Sequence, residues 1–341
     1  MDNIAQRIEA IRAEWGPRLL ILGHYYQDAA VLRHADVLGD SLELSRQAGA
    51  SRSERIVFCG VHFMAESADI LTAPEQTVYM PNTAAGCPMA DMADIYAVEQ
   101  AWSVLQDATP DRWLPVVYVN SSAAIKAFCG VQGGATCTSS NAARVFQWVF
   151  AQGRKVFFLP DRHLGTNTAN DLGIPDEQVA VYDPRQPEGG LTHTAMDAAR
   201  VVVWNGFCPI HMVFTVAQVQ AIRTHWPQGK IIVHPETARE IVRLCDAHGS
   251  TSQIIRYVEA APAGALVFVG TEVHLVRRLA ALHKGRVDVR PLAPSVCPNM
   301  ARTTAQSLFT LLENWPDANV IRVPTAVAVN ARLALERMLR L

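Results

Sequence analysis

The chain repeats one arrangement of residues three times, and this repeat constrains the fold more than any other feature of the sequence. Each copy begins with a short apolar run that ends in polar side chains, at residues 19–27, 114–122 and 230–237. A second apolar run follows in each copy, at residues 55–60, 155–160 and 265–270. Apolar runs of this length predict strands of a parallel sheet covered on both faces, and the segments between them predict helices. The sequence therefore predicts an α/β fold of three related units, the alternative being ordinary alternation of strands and helices without a repeat.

Two further features recur in each copy. Small polar residues lie between the two strands, at residues 39–41, 137–140 and 249–252. Ser and Thr at such places cap helix N-termini, whose free N–H groups bind anions. Each copy then ends in a Cys-Pro dipeptide, at Cys87, Cys208 and Cys297. The middle copy is longer, and we predict that its extra residues form a loop around 182–194.

The length of 341 residues exceeds the roughly 250–300 residues that a single core holds. Each unit is predicted to be a three-layer αβα domain with a small parallel sheet. We assign residues 1–110 to the first domain, 111–198 to the second and 199–300 to the third, and expect the helices of 301–341 to pack on the first. Ligands of such sheets bind beyond the carboxyl ends of the strands, so the polar strand ends and Cys-Pro loops should face one centre.

Charge and composition exclude several classes of function. Thirty Lys and Arg against 32 Asp and Glu give a net charge of −2, which leaves no basic excess for a nucleic-acid backbone. The N-terminal residues 1–17 predict an amphipathic surface helix, not a signal peptide. Because no apolar run approaches the ~20 residues of a membrane span, we expect a cytoplasmic protein without nucleic-acid or membrane partners. In that compartment its seven Cys should be thiols or metal ligands.

The three Cys-Pro cysteines supply one thiolate from each unit and no obvious fourth protein ligand. This set suits a [4Fe–4S] cluster with one iron left open as a Lewis acid, whereas a structural zinc site requires four ligands. The alternative is that these cysteines are buried small hydrophobes. Cys59, Cys129 and Cys245 are expected in the core, with Cys137 at most bordering the site.

Polar side chains at the strand ends complete the predicted site. His24 and Tyr26 follow the first strand, and His211 lies three residues after Cys208. Alternation along an extended chain lets Tyr118 and Asn120 face one side, and His234 and Glu236 do the same. The histidines at 34, 225, 248 and 283 are expected at the surface.

At this point the sequence resembles a known family. HYYQ, GDSLELS, AGCPMADM, YVNSSAAIKA, CTSSNA, NGFCPIHM, VHPE, GSTSQII, GTEVHL and CPNM, in this order over roughly residues 18–310, are similar to the motifs of quinolinate synthases. The resemblance implies three similar domains around a pseudo-threefold axis and one [4Fe–4S] cluster per chain, held by one Cys from each domain. It also implies condensation of iminoaspartate with dihydroxyacetone phosphate to quinolinate, phosphate and water.

The resemblance implies a role for each candidate residue. Cys87, Cys208 and Cys297 match the cluster ligands. Glu236 matches a general base and His234 a neighbouring substrate binder. His24 and Tyr26 would bind substrate and assist proton transfer and ring closure, and His211 would act near the cluster. The substrate binders are completed by Tyr118 and Asn120 near the carboxylates, and by Ser41, Ser139 and Thr251 at helix starts, with Ser140 as the alternative to Ser139.

Other interpretations stay open at this stage. Residues 290–296 lack the extra cysteines that some family members carry, so a thiol switch is not expected. The competing functions are an iron–sulfur sensor without catalysis and a zinc hydrolase that uses His24, His211 and His234. The expected partners are the two small-molecule substrates, and a transient contact with the enzyme that produces iminoaspartate stays open.

Overall fold

The computed structural model describes residues 2–341, which form three sheets surrounded by helices. The strands of this part of the chain are β1 Leu19–His24, β2 Val37–Gly39, β3 Arg55–Cys59, β4 Thr77–Tyr79, β5 Trp113–Tyr118, β6 Ala135–Cys137, β7 Lys155–Leu159, β8 Val179–Tyr182, β9 Val201–Trp204, β10 Lys230–Val233, β11 Ala247–His248, β12 Leu266–Gly270, β13 Asp288–Pro291 and β14 Val320–Ile321.

Helices connect the strands and cover the sheets. They are α1 Asp2–Trp15, α2 Ala29–Leu32, α3 Ser41–Ala50, α4 His62–Leu71, α5 Pro88–Asp91, α6 Ile95–Ala108, α7 Ala123–Val131, α8 Ala142–Ala151, α9 Arg162–Asp171, α10 His193–Ala198, α11 Val216–His225, α12 Arg239–Val242, α13 Thr251–Ala260, α14 Val273–Leu282, α15 Ala305–Asn314 and α16 Thr325–Arg340.

The three sheets share one strand order. In the first, β4, β3, β1 and β2 lie side by side; β9, β7, β5 and β6 do so in the second, and β13, β12, β10 and β11 in the third. Every pair within these sets is parallel. The first sheet adds the antiparallel β14, and the second adds β8 beside β9. The predicted α/β fold of three related units with small parallel sheets is therefore confirmed.

The first strand of each unit is buried because its sequence is apolar on both faces. All six residues of β5 are buried, and β1 and β10 are buried apart from one residue each. Helices on both sides of a parallel sheet require this pattern. The largest hydrophobic cluster includes Phe58, Phe158 and Ile232, one from each sheet, so the three units pack into one body.

Two domain assignments need correction. The boundary predicted between residues 198 and 199 precedes β9, yet β9 pairs with β7 and β8 of the second sheet. The C-terminal helices do not share one location. Helix α15 packs on α1 of the first unit as expected, whereas α16 packs mainly on α7 and β6 of the second unit and also reaches α4. An amphipathic helix shows which face is buried but not which partner buries it.

Three smaller expectations also change. The segment predicted as a loop around 182–194 includes the end of β8 and the start of α10. His34 is buried rather than at the surface. Its Nδ1 lies 2.6 Å from Glu9 Oε1 on α1. Cys245, expected in the core, is partly exposed.

Within residues 2–341, the helices are too short or too polar to cross a membrane.

Candidate active site

One cavity lies beyond the carboxyl ends of β1, β5 and β10, where the three units meet. The space free of protein atoms there amounts to about 860 Å³, a figure that includes solvent at the open mouth, and the centre of a water-sized sphere can occupy about 120 Å³ of it. All the residues selected from the sequence line it: His24, Tyr26, Ser41, Cys87, Tyr118, Asn120, Ser139, Cys208, His211, His234, Glu236, Thr251 and Cys297. The structure thus brings them together, while their individual roles stay predictions.

The strand ends place two histidines in the same local geometry. The backbone N–H of Tyr26 donates to His24 Nδ1 at 3.1 Å, and that of Glu236 donates to His234 Nδ1 at 3.3 Å. Burial lowers the pKa of His24 to about 4 and that of His234 to about 3. Both rings are therefore neutral at pH 7, with the proton on Nε2.

Glu236 is the centre of a polar cluster although it is only 3% exposed. Tyr118 Oη donates to Glu236 Oε1 at 2.6 Å. His211 Nδ1 lies 2.7 Å from the other oxygen, Oε2, in a polar contact that lacks hydrogen-bond geometry. His234 Nδ1 is farther from Oε2, at 3.8 Å.

These neighbours decide the ionisation of Glu236. Burial acts to raise the pKa of its carboxyl, but His234, His211 and the hydrogen bond from Tyr118 outweigh burial and hold the pKa below its usual value. A base ionised at neutral pH can accept a proton.

Tyr26 and His211 are joined through Thr271, which the sequence analysis did not select. Tyr26 Oη lies 2.7 Å from Thr271 Oγ1, which in turn lies 3.1 Å from His211 Nε2. Thr251 Oγ1 donates to Tyr26 Oη at 3.3 Å. One consistent direction of donation runs from Thr251 through Tyr26 and Thr271 to His211, whose Nδ1 faces Glu236.

The helix starts differ in detail from the prediction. Ser41 and Thr251 are the first residues of α3 and α13, but Ser139 lies two residues before Asn141, the residue that precedes α8. Ser139 lines the cavity, whereas Ser140 Oγ donates to Asp40 Oδ2 at 3.0 Å. This placement favours Ser139 over Ser140 as the residue that meets a ligand.

The three Cys-Pro turns share one arrangement around sulfur. Backbone N–H groups of the second or third following residue act to lower the pKa of each thiol, those of Met89 and Ala90 at Cys87, Ile210 at Cys208, and Asn299 and Met300 at Cys297. The Met300 N–H donates to Cys297 Sγ at 3.5 Å. Such donors stabilise a thiolate. By contrast, Cys59, Cys129 and Cys137 are fully buried in the core.

A cation is needed to ionise these thiols. Burial raises the pKa of Cys87 to about 12 and also raises the pKa of Cys208 and Cys297. The thiols are therefore protonated at neutral pH in the free protein, and a bound metal would displace the protons. Three cysteine side chains that line one cavity fit a thiolate-ligated group.

A second set of metal-binding atoms lies in the same cavity. Within the part of the chain that the structure describes, ligand atoms of Cys208, His211 and Glu236 all lie within 4.8 Å of one another. The His24, His211 and His234 set of the zinc-hydrolase alternative does not converge in this way. The rings of His211 and His234 stack at 4.6 Å between centroids, which suits packing more than shared coordination.

The comparisons with known proteins agree with these motifs. Residues 6–340 match the family described as NadA: Quinolinate synthetase A protein. This chain belongs to that family. The chain is 47% identical over 349 residues to a quinolinate synthase of Anoxybacillus flavithermus, with 99% of this chain and 94% of the relative covered. Those of Corynebacterium glutamicum (46% over 345 residues, 99% and 87% covered) and Bacillus subtilis (45% over 343 residues, 99% and 93% covered) are similar.

The family membership confirms the resemblance seen in the motifs and shows that the chain is an enzyme of the quinolinate synthase kind. The family motifs also include cavity residues that were not selected from the sequence. Asp40, Thr138 and Asn299 line the same cavity as the family motifs in which they lie. Each could have been found from the sequence, because Asp40 adjoins Ser41, Thr138 adjoins Ser139 and Asn299 lies two residues after Cys297. Thr271 belongs to the GTEVHL motif but had no such neighbour.

Proposed function

We propose that this family member condenses iminoaspartate with dihydroxyacetone phosphate to give quinolinate, phosphate and water, as a step of NAD biosynthesis. The observation that carries the proposal is the single cavity in which the sulfurs of three Cys-Pro turns meet the Glu236 cluster. The match to the family over residues 6–340 supports it.

We further propose that Cys87, Cys208 and Cys297 hold one [4Fe–4S] cluster. With three protein thiolates, one iron is left open and supplies Lewis-acid chemistry for the loss of water. The place of all three cysteines in one cavity, and the backbone N–H groups that act to lower the pKa of each thiol, support this ligand set.

Anionic groups of the substrates would be bound without a full positive charge. Among the described residues that line the cavity, none is Lys or Arg. Ser41 and Thr251 begin helices whose N-terminal N–H groups carry partial positive charge. Together with Ser139, Tyr118 and Asn120, they offer the donors that carboxylate and phosphate oxygens need. The neutral rings of His24 and His234 would each add one N–H.

Proton transfer would use two kinds of group. Glu236 is ionised at pH 7 and would accept a proton from the substrate. Burial raises the pKa of Tyr26 and of Tyr118, so both phenols stay protonated and can donate. The hydroxyl of Thr271 would let a proton move between Tyr26 and His211, whose Nδ1 lies 2.7 Å from Glu236 Oε2.

The decisive experiment is an anaerobic assay for quinolinate formed from iminoaspartate and dihydroxyacetone phosphate, with iron and sulfide measured on the same sample. We expect turnover and about four iron and four sulfide per chain. Cys208→Ala should lose both, whereas Cys245→Ala, the matched control outside the cavity, should keep both. A colourless Cys208→Ala variant with full turnover would refute the proposal.

The Cys208, His211 and Glu236 convergence favours a second candidate, a mononuclear metal enzyme. Cys, His and Glu side chains are ordinary zinc ligands. Zinc at one per chain, with turnover kept when iron is absent, would establish this candidate and exclude the cluster.

We also propose a cytoplasmic location, because seven free cysteines are typical of a reducing compartment. The unstable substrate suggests a transient contact with the enzyme that produces it. We propose no nucleic-acid partner for the chain.

A further inference from the structure

Two fully buried carboxylates, Asp161 and Glu272, lie just behind the cysteine turns and take no part in the proposed chemistry. They occupy equivalent positions in two of the units. Asp161 immediately precedes α9, two residues after β7, and Glu272 immediately precedes α14, two residues after β12. Their side chains cap those helices: Leu164 N–H donates to Asp161 Oδ1 at 2.7 Å, and His274 N–H donates to Glu272 Oε2 at 2.7 Å.

The second oxygen of each carboxylate binds the backbone of a cysteine turn. Cys208 N–H donates to Asp161 Oδ2 at 3.1 Å, and Cys297 N–H donates to Glu272 Oε1 at 3.3 Å. Glu272 Oε1 also lies 2.8 Å from His274 Nδ1. Each carboxylate therefore joins the start of a helix to one of the predicted ligand cysteines.

A backbone hydrogen bond also joins the start of a helix to a cysteine turn, and it is present in every unit. The N–H of the first helical residue donates to the carbonyl two residues before the cysteine, from His62 to Ala85 at 2.8 Å, from Arg162 to Gly206 at 2.9 Å, and from Val273 to Ser295 at 2.7 Å. The turns are therefore attached to the helix starts in the same way three times. The first unit has Val61 where the other two have a carboxylate, so the side-chain contact belongs to the second and third units.

Close packing leaves little freedom around the Cys208 turn. A Cβ added at Gly206 would lie 2.4 Å from the carbonyl oxygen of Pro160, which immediately precedes Asp161. The third-unit turn is tied to the second directly, since Ser295 Oγ donates to the carbonyl of Ile210 at 2.5 Å. The two carboxyl contacts therefore act on turns that are closely packed and joined to one another.

We propose that Asp161 and Glu272 are positioning residues that fix the backbone of the Cys208 and Cys297 turns and so hold two of the three sulfurs in place for the cluster. This inference rests on the proposed function, because the cluster that the two residues would serve is part of that proposal. The contacts themselves belong to the free chain.

The test separates this role from ordinary helix capping. Asn caps helices about as well as Asp, but an amide has one acceptor oxygen where a carboxylate has two. Asp161→Asn and Glu272→Gln would keep the cap and turn an NH₂ group toward the cysteine N–H. Asp94→Asn is the matched control, because Tyr96 and Ala97 both donate to the single oxygen Oδ1 of Asp94, at 3.0 and 3.3 Å.

Hydrogen–deuterium exchange of the full chain, before and after anaerobic loading with iron and sulfide, measures the turns directly. We expect Asp161→Asn to speed exchange in residues 206–210 and Glu272→Gln to speed it in residues 295–299, each about three- to tenfold, the effect of one lost hydrogen bond. Both variants should also lose iron to a chelator faster than the wild type. Asp94→Asn should change neither rate, and melting curves from circular dichroism should show that all three variants fold.

The outcomes distinguish this inference from the proposed function. Exchange and iron loss at wild-type rates in both variants would show that the carboxylates are helix caps alone, and would overturn the inference while the cluster proposal stands. A wild-type chain that takes up no iron or sulfide would overturn the cluster proposal and the purpose assigned to the two carboxylates. Two variants in different units keep the test valid if one of them fails to fold.

Discussion

Thr271 contacts two residues from different units of the molecule, Tyr26 of the first and His211 of the Cys208 turn. Its side chain is fully buried, so its hydroxyl has no competing water contact. A buried hydroxyl between two polar groups is stable only when both contacts are made. The orientation of Tyr26 and that of His211 therefore depend on one another through Thr271.

We predict that Thr271→Val, which keeps the shape but removes the hydroxyl, lowers turnover by roughly tenfold or more, because positioned proton transfer contributes about 10²–10⁴ in rate. Steady-state kinetics measure the effect. Thr271→Ser restores the hydroxyl and should recover most of the turnover. Wild-type turnover in Thr271→Val would contradict the link between Tyr26 and His211.

Tyr118 favours the ionised form of Glu236, together with His234 and His211, by donating a hydrogen bond at 2.6 Å to the carboxylate. This bond favours the charged form, so its loss in Tyr118→Phe should raise the pKa of Glu236. If ionised Glu236 is the base, activity falls as pH drops through its pKa, and the acid limb of the pH–rate profile should move to higher pH. Tyr25→Phe, a change at a partly buried residue beside Arg278, serves as the control. An unmoved acid limb in Tyr118→Phe would count against Glu236 as the base.

The sequence predicted the residues of the cavity better than their contacts. The strand-end pairs and Cys-Pro turns could be found because the repeat marks them three times. Thr271 and Tyr26 are 245 residues apart, and no local pattern links them. Burial acts to raise the pKa of Glu236, but the effect of its polar neighbours is larger. Those neighbours come from other strands and turns, so only the fold reveals them.

Among the secondary-structure elements, long buried strands could be predicted, whereas the shortest ones could not. β2, β6 and β11 contain two or three residues each, too few for an apolar pattern to develop. These strands end at or just before the polar clusters predicted as helix starts, and so set where those clusters begin. The location of α16 could not be predicted either, since its partner α7 lies about two hundred residues earlier in the chain.

Helix α16 joins the second unit to the first through several polar contacts. Arg337 donates to the carbonyl of Gly134 at 2.5 Å, Thr136 Oγ1 donates to the carbonyl of Ala334 at 3.1 Å, and Arg332 donates to the carbonyl of Thr72 at 3.0 Å. Thr72 is the residue that follows α4, and Arg337 also donates to the carbonyl of Gly130 in the last turn of α7 at 3.4 Å. Both arginines thus bind carbonyls that helix ends leave free.

The close approach of α16 to α7 depends on Gly130, because an added Cβ there would lie 1.9 Å from the carbonyl oxygen of Asn330. We predict that Gly130→Ala destabilises the chain by about 1–3 kcal/mol, the usual effect of overpacking, as measured by denaturant unfolding. Gly49→Ala in α3 is the control. Its added Cβ would lie 3.6 Å or more from its neighbours, so it should be neutral or stabilise slightly. Equal stability of the two variants would show that α16 moves away freely.

At the scale of the whole molecule, the units are linked at the helix starts as well as at the cavity. Ser140 Oγ of the second unit donates to Asp40 of the first at 3.0 Å and lies 3.4 Å from Ser252 Oγ of the third. The starts of α3 and α13 and the turn before α8 are thus held together by side chains. A ligand bound at one of these positions would meet groups fixed by all three units.

Burial of neutral histidines should make the stability of the whole chain depend on pH. Burial lowers the pKa of His24 and His163 to about 4 and that of His234 to about 3, against about 6.5 in an unfolded chain. Below pH 6.5 the unfolded state therefore binds more protons than the folded state. Stability is fully present above pH 6.5 and is lost progressively as pH falls toward 4.

We predict that His163→Asn, a change outside the cavity lining, weakens this dependence. Between pH 6.5 and 5, the unfolding free energy of His163→Asn should fall less steeply with decreasing pH than that of the wild type. The two slopes should differ by up to about 1.4 kcal/mol per pH unit, the largest contribution that one titrating group makes. Thermal melts of the unloaded protein at several pH values give the measurement. His225→Asn is the matched control, since His225 is exposed at the end of α11. Parallel curves for His163→Asn and the wild type would mean that His163 is protonated as easily in the folded chain as in the unfolded one.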